Sequence, residues 1–85
     1  MEDLIIGKKM KAIWWDGSFK QAYKISLLLE GIEHSTMEGK LSYINKKGKI
    51  VSIPKNTYVV RDEGEIKYYY QTGDSLLENE FTIHK

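Results

Sequence analysis

His34 and His84 are the only imidazoles in the chain, and no cysteine accompanies them. Neither stands in a His-x-x-x-His spacing, so a zinc site built from nitrogen and sulfur ligands is not expected. Carboxylates come in close pairs, Glu63 with Glu65 and Glu78 with Glu80, which could do general acid/base work if one member were buried and its pKa raised. A solvated position in a turn or at a rim is the simpler reading of both pairs. Serine, histidine and aspartate are present without a Gly-x-Ser-x-Gly elbow, and no set of residues offers a base, an acid and an oxyanion stabiliser together. The expectation is a protein that binds rather than catalyses, with no cofactor.

Chemistry suited to binding is more evident. Lysines cluster at Lys8, Lys9 and Lys11 and again at Lys46, Lys47 and Lys49, the second group on the tip of an expected hairpin. Such a tip can contact phosphates, with Tyr43 and Tyr58 as stacking platforms, although lysine on exposed strands also blocks edge-to-edge aggregation. Ten of the 85 residues are aromatic. Trp14, Trp15, Tyr43, Tyr58, Tyr68, Tyr69, Tyr70 and Phe81 fall on or beside segments of strand character. Neighbours on a strand face opposite sides, so Trp14 and Trp15 cannot share one core, nor can Tyr69 share one with Tyr68 and Tyr70. Some large aromatics must therefore face away from the helix, to pack under a loop, against a second copy or against a ligand. Arg61 and Lys67 are the nearest fixed cations, so Trp14, Arg61, Lys67, Tyr68 and Tyr70 are the expected ligand-binding residues for a small anionic ligand.

The elements that must position these residues follow from periodicity. Residues 8–15 read as a strand broken by Asp16-Gly17. Ser18 can cap a helix in which Phe19, Ala22, Ile25, Leu29 and Ile32 fall within about 140°, with Lys20 and Lys24 opposite and Gly31 as a stop. Glu33 to Gly39 has the polar character of a loop. Leu41–Asn45 and Lys49–Ile53 are strands joined by Asn45-Lys46-Lys47-Gly48, and Pro54 begins the next reversal. Tyr58–Arg61 and Ile66–Tyr70 flank the Asp62-Glu63-Gly64 turn, which completes a four-strand meander. Ser75-Leu76-Leu77-Glu78 fits one helical turn, with Asp74 as an alternative cap, and Phe81-Thr82-Ile83 a last short strand. The expected architecture is one α+β domain over residues 1–85. Its antiparallel sheet is in β-α-β-β-β-β order, with one helix on one face.

Composition excludes several classes. With 41% hydrophobic and 29% charged residues the chain is neither disordered nor fibrous, and its formal net charge of +1 supplies no global field for nucleic acid or a membrane surface. No apolar window approaches the roughly 18 residues of a membrane span. The acidic start, Met1-Glu2-Asp3, lacks the basic region of an export signal, and a cytoplasmic address is expected.

Ala12-Ile13-Trp14-Trp15-Asp16-Gly17 resembles the Ala-Ile-x-Trp-x-Gly opening of a group of small phage proteins of mostly unknown function. Asn56-Thr57-Tyr58-Val59-Val60-Arg61-Asp62-Glu63-Gly64-Glu65-Ile66-Lys67-Tyr68 is similar to that group's Gly-Asp-Tyr-Ile-Ile-x-Gly-x-x-Gly-Glu-Phe-Tyr pattern, and Leu77-Glu78-Asn79-Glu80-Phe81 to its ending. The C-terminal cadence of strand, acidic glycine turn, aromatic strand and then a short helix beginning near an acid also resembles that of the Thoeris anti-defence proteins, phage sponges that bind a cyclic ADP-ribose type signal without cleaving it. The segment after Tyr68 is longer here by about three residues, and Trp14 replaces a usually polar position, whereas Trp15 matches the group's tryptophan and is expected in the core. The resemblance implies a counter-defence protein that sequesters a nucleotide-like signal in the host cytoplasm. The alternatives are a protein-protein inhibitor of a host factor acting through an aromatic patch, and a single-stranded nucleic-acid binder using Lys46, Lys47 and Lys49. A homodimer is a further expectation, as a way to cover outward aromatics.

Overall fold

Trp14 and Trp15 point to opposite faces of one strand and both are buried, so the middle of the central sheet is covered on both faces. The computed structural model describes residues 1–84. The elements are β1 (Leu4–Ile6), β2 (Met10–Trp15), α1 (Phe19–Leu28), β3 (His34–Met37), β4 (Lys40–Ile44), β5 (Ile50–Ile53), β6 (Thr57–Asp62), β7 (Glu65–Tyr69), α2 (Ser75–Glu80) and β8 (Ile83–His84). Five strands form one sheet in the order β7-β6-β2-β1-β8, three form another in the order β3-β4-β5, and every pairing is antiparallel. The expected α+β architecture with its antiparallel pairing is what the chain adopts.

One core joins Ile13, Trp15 and Val59 of the large sheet to Ile25 and Leu29 of the α1 region and to Leu41, Tyr43 and Ile53 of the small sheet. The other gathers Ile6, Ala12, Trp14, Tyr58, Val60 and Tyr69 under Leu77 of α2 and Phe81. Double coverage explains why Ala12–Trp15 and Thr57–Val60 are buried without a break, where a one-sided strand would alternate. The aromatics facing away from α1 are therefore covered by the chain's own C-terminal segment. Trp14 and Tyr58 meet there edge to face, with centroids 4.8 Å apart.

Three local expectations change. The meander divides, because β5 does not pair with β6. After Pro54, Asn56 takes a left-handed conformation (φ 63°) and donates its backbone N–H to the Trp15 carbonyl at 2.6 Å, which hands the chain to the large sheet beside β2. Glu33 to Gly39 is not a loop, since β3 pairs with β4 through a two-residue turn, Glu38-Gly39, with both φ positive (54° and 74°). Glu63-Gly64 turns the β6–β7 hairpin in the same way (50° and 83°). This is the primed geometry that matches strand twist and is usually signalled by Asn or Asp before Gly, so glutamate hid the first of these turns.

The third change is the rotation of α1. Ser18 caps it by accepting from the Gln21 N–H, yet Phe19, expected in the core, is almost fully exposed. Gln21, about 160° around the helix from Phe19, is buried instead. Its Nε2 donates to the Trp14 carbonyl at 2.7 Å and to Asp3 Oδ1 at 2.9 Å. Asp3 Oδ1 also accepts the Trp14 N–H, and its Oδ2 accepts Lys24 Nζ at 2.9 Å. One carboxylate thus ties the N-terminal segment, β2 and α1 together, and that polar latch selects the helix face that is buried.

Burial of Asp3 opposes its ionisation, but the hydrogen bonds from Lys24, Trp14 and Gln21 outweigh it and hold the pKa below its ordinary value of 3.8. The latch therefore stabilises the fold fully above pH 3.8, and its contribution disappears as pH falls through the lower folded value. Asp3→Ala is expected to cost about 1 to 3 kcal/mol at neutral pH, with the gap to wild type closing in acid; denaturant melts across pH measure both. Glu63→Asn is expected to stabilise the β6–β7 turn by about half a kcal/mol, because asparagine accepts positive φ more readily; an unchanged or lower denaturation midpoint contradicts this.

Candidate functional site

A spacious groove lies where the β4–β5 and β6–β7 hairpins meet the connection after α1. It has a volume of 630 Å³ and is lined by Gly31–Glu33, Tyr43–Lys47, Arg61 and Gly64–Ile66. Each wall has a local cause. Asn45 Oδ1 accepts the backbone N–H groups of Lys47 and Lys49 at 2.9 and 3.0 Å, an Asx turn that holds Lys46 and Lys47 at the hairpin tip. The Glu63-Gly64 turn returns the chain so that Arg61 is opposite Ile66. Tyr43, buried between the sheets, points its hydroxyl at the Ile66 carbonyl at 3.4 Å and joins the two hairpins.

Arg61 also has a structural task. Its Nη1 donates to the Leu28 and Glu30 carbonyls at 3.1 and 2.7 Å, placing a guanidinium on the negative end of α1. Its Nη2 and Nε make no hydrogen bond to the described residues. Lys46 arches over the neighbouring turn, where a Cβ on Gly64 would lie 3.8 Å from its Nζ. Arg61, Lys46 and Lys47 thus face Glu33 and Glu65 in one groove, three cations against two acids. Burial, then the neighbouring Tyr68 and Glu65, push the Tyr43 hydroxyl above its ordinary pKa, so it stays a neutral donor.

The five expected ligand residues are divided by the sheet. Arg61 and Tyr68 face the α1 side, where Tyr68 and Tyr70 meet edge to face at 6.4 Å, both partly in solvent. Trp14 is only 7% exposed and belongs to the opposite core, so it presents no free ring to a ligand on the Arg61 side. Lys67 is also on that far side, bonded to Glu80 Oε2 at 3.1 Å. The arrangement keeps Arg61, Tyr68 and Tyr70 on one side and adds Tyr43, Lys46 and Lys47, residues noted in the sequence as a stacking platform and a basic tip. Glu33 and Glu65 had no signal of their own as groove residues, because their neighbours come from different hairpins.

Comparison with protein-family models, curated proteins and solved structures gives no match.

Other candidate chemistry is dispersed. Among the described residues no three His, Asp or Glu side chains gather as a metal site would require. His34 Nδ1 is 2.7 Å from the Ile32 carbonyl, and His84 Nε2 is 3.1 Å from the Gly7 carbonyl, so each ring is engaged with backbone. Among those residues no helix is long and apolar enough to cross a membrane. Glu78 and Glu80 do not act as a pair, since Glu80 accepts from Tyr69 at 2.6 Å as well as from Lys67. The Tyr69 hydroxyl and then the Lys67 ammonium hold the Glu80 carboxyl below its ordinary value.

Burial first, and then the hydrogen bond to Glu80, push the Tyr69 hydroxyl far above its ordinary pKa of 10.0. Alkaline titration followed by ultraviolet absorbance is expected to show one tyrosine that resists ionisation longest. Tyr69→Phe should remove that last step and Glu80→Gln should bring it to lower pH. The unfolded chain releases this proton first, so stability is expected to fall as pH rises above 10.0. A last step that survives Tyr69→Phe contradicts the assignment.

Proposed function

We propose that this protein binds and sequesters a small anionic, nucleotide-like ligand in the Arg61 groove, without performing chemistry on it. The observation that carries this reading is the convergence of Arg61, Lys46 and Lys47 on one 630 Å³ groove. The exposed Tyr68–Tyr70 pair lies on the same side of the sheet. Guanidinium and ammonium groups suit phosphate oxygens, and a tyrosine pair offers faces to a base. The Nη1 bonds to α1 hold the guanidinium before a ligand arrives, which lowers the ordering cost of binding.

The resemblance of Ala12–Gly17 and Asn56–Tyr68 to small phage proteins, and of the C-terminal cadence to anti-defence sponges, supports a counter-defence role of the same kind. The host cytoplasm is then the working compartment. A single-stranded nucleic acid draws on the same lysines, but it needs an unbroken basic track, and Glu33 and Glu65 interrupt this one. A confined ligand with few phosphates suits such a mixed groove better.

Isothermal calorimetry with cyclic nucleotides and ADP-ribose derivatives tests the proposal. A saturable heat is expected, with affinity reduced at least tenfold, about 1.4 kcal/mol, in Lys46→Glu/Lys47→Glu and reduced further by added salt. The ligand should be recovered chemically unchanged after the protein is denatured. No heat with any of these compounds, or recovery of a cleaved product, overturns the proposal.

A further inference from the structure

The face of α1 turned away from the sheet carries a second surface, independent of the Arg61 groove. Phe19, Tyr23 and Leu27 recur every fourth residue and are 95%, 67% and 58% exposed. Such residues form one ridge along a helix. Beside the Leu27 end lies a groove of 440 Å³, whose apolar floor and walls include Ile5, Ile13, Leu27 and Leu28. Ile5 is itself half exposed, and Lys11 and Lys24 stand at the rim. The ridge therefore has a free aromatic knob at one end and an apolar hollow at the other, about 12 Å apart along the helix. Tyr23 stands midway between them.

We propose that this face is a two-fold interface with a second copy of the chain. Antiparallel pairing of two α1 helices about Tyr23 brings Phe19 of each copy opposite Leu27 of the other, where its ring enters the groove beside Ile5. Tyr23 meets its own counterpart on the axis. Knob and hollow are equally spaced from Tyr23, which is the self-complementarity an isologous contact requires. The area is adequate as well. Covered aromatic side chains contribute on the order of 150 to 250 Å² each, so the ridge with Ile5 offers roughly 500 Å² per copy. A pair then buries about 1,000 Å² in total, the lower bound for a specific contact and the size of a weak, readily reversible one.

Sedimentation equilibrium of the full chain over a dilution series up to millimolar concentration is the test. Wild type is expected to be dimeric at the upper end and to dissociate on dilution. Tyr23→Lys, which sets two ammonium groups face to face on the axis, should be monomeric throughout. Phe19→Ala should weaken the dimer at least tenfold, because it empties both hollows at once. Leu76→Ala, an exposed apolar residue on α2, should leave the dimer unchanged. Thermal melts of dilute, monomeric samples check that each variant is folded. A wild-type chain that stays monomeric at every concentration overturns the proposal, and so does a Tyr23→Lys variant that pairs as tightly as wild type.

Discussion

Everything in this fold depends on the pairing of β2 with β6, which buries the strand pair on both faces. Ile13 is opposite Val59, Trp14 opposite Tyr58 and Trp15 opposite Thr57, and all six are withdrawn from water. A strand pair of this kind cannot be stable alone, because each face exposes large apolar side chains until something covers it. The two coverings come from distant parts of the chain. α1 and the small sheet close one side, and α2 with Phe81 closes the other. An 85-residue chain thereby builds two small cores on one shared sheet, and neither core exists without the other's strands.

Polar groups set the orientation of the parts that hydrophobic burial leaves open. The Asp3 carboxylate accepts from β2 and from two residues of α1, so the helix settles with Gln21 inward although Phe19 is the more apolar residue. Arg61 does the equivalent at the other end of α1 and at the same time contributes a cation to the groove. Structure and candidate function are therefore coupled in one side chain, since moving the guanidinium would also release the end of the helix. Tyr69, Glu80 and Lys67 form a comparable tie between β7 and the end of α2. Two ties serve structure alone, and the third also lines the groove.

Much of the fold is legible from local chemistry. The Ser18 cap, the Asn45–Gly48 turn and Asp74 as the alternative cap of α2 all stand where side-chain hydrogen bonding dictates. Strand parity correctly separates Trp14 from Trp15 and Tyr69 from Tyr68. β3 escapes notice because its turn uses Glu38 at positive φ and because three of its four residues are polar or charged. The outward ridge of α1, Phe19, Tyr23 and Leu27 at i, i+4 and i+8, was not among the sequence expectations. The competing stripe through Phe19, Ala22 and Ile25 drew the same phenylalanine to the opposite conclusion. Two apolar stripes on one short helix cannot be ranked by periodicity when the deciding partner, Asp3, is sixteen residues away.

The amino-acid sequence by itself determined the α+β class, the β4–β5 and β6–β7 hairpins and the opposite orientations of neighbouring aromatics, because these follow from side-chain period, capping and turn chemistry over a few residues. Only the tertiary structure decided which aromatics are free and which cations meet. Trp14 is covered by Phe81 and Leu77, and Lys67 is bonded to Glu80, through contacts made by the last segment of the chain. Arg61, Lys46 and Lys47 converge because the β4–β5 hairpin stays in a separate sheet while the crossing at Asn56 turns the following chain back beside Trp15. Local preferences specify what each segment becomes. Which side chains share one groove is set by how the two sheets and α1 divide the burial of a single apolar strand pair.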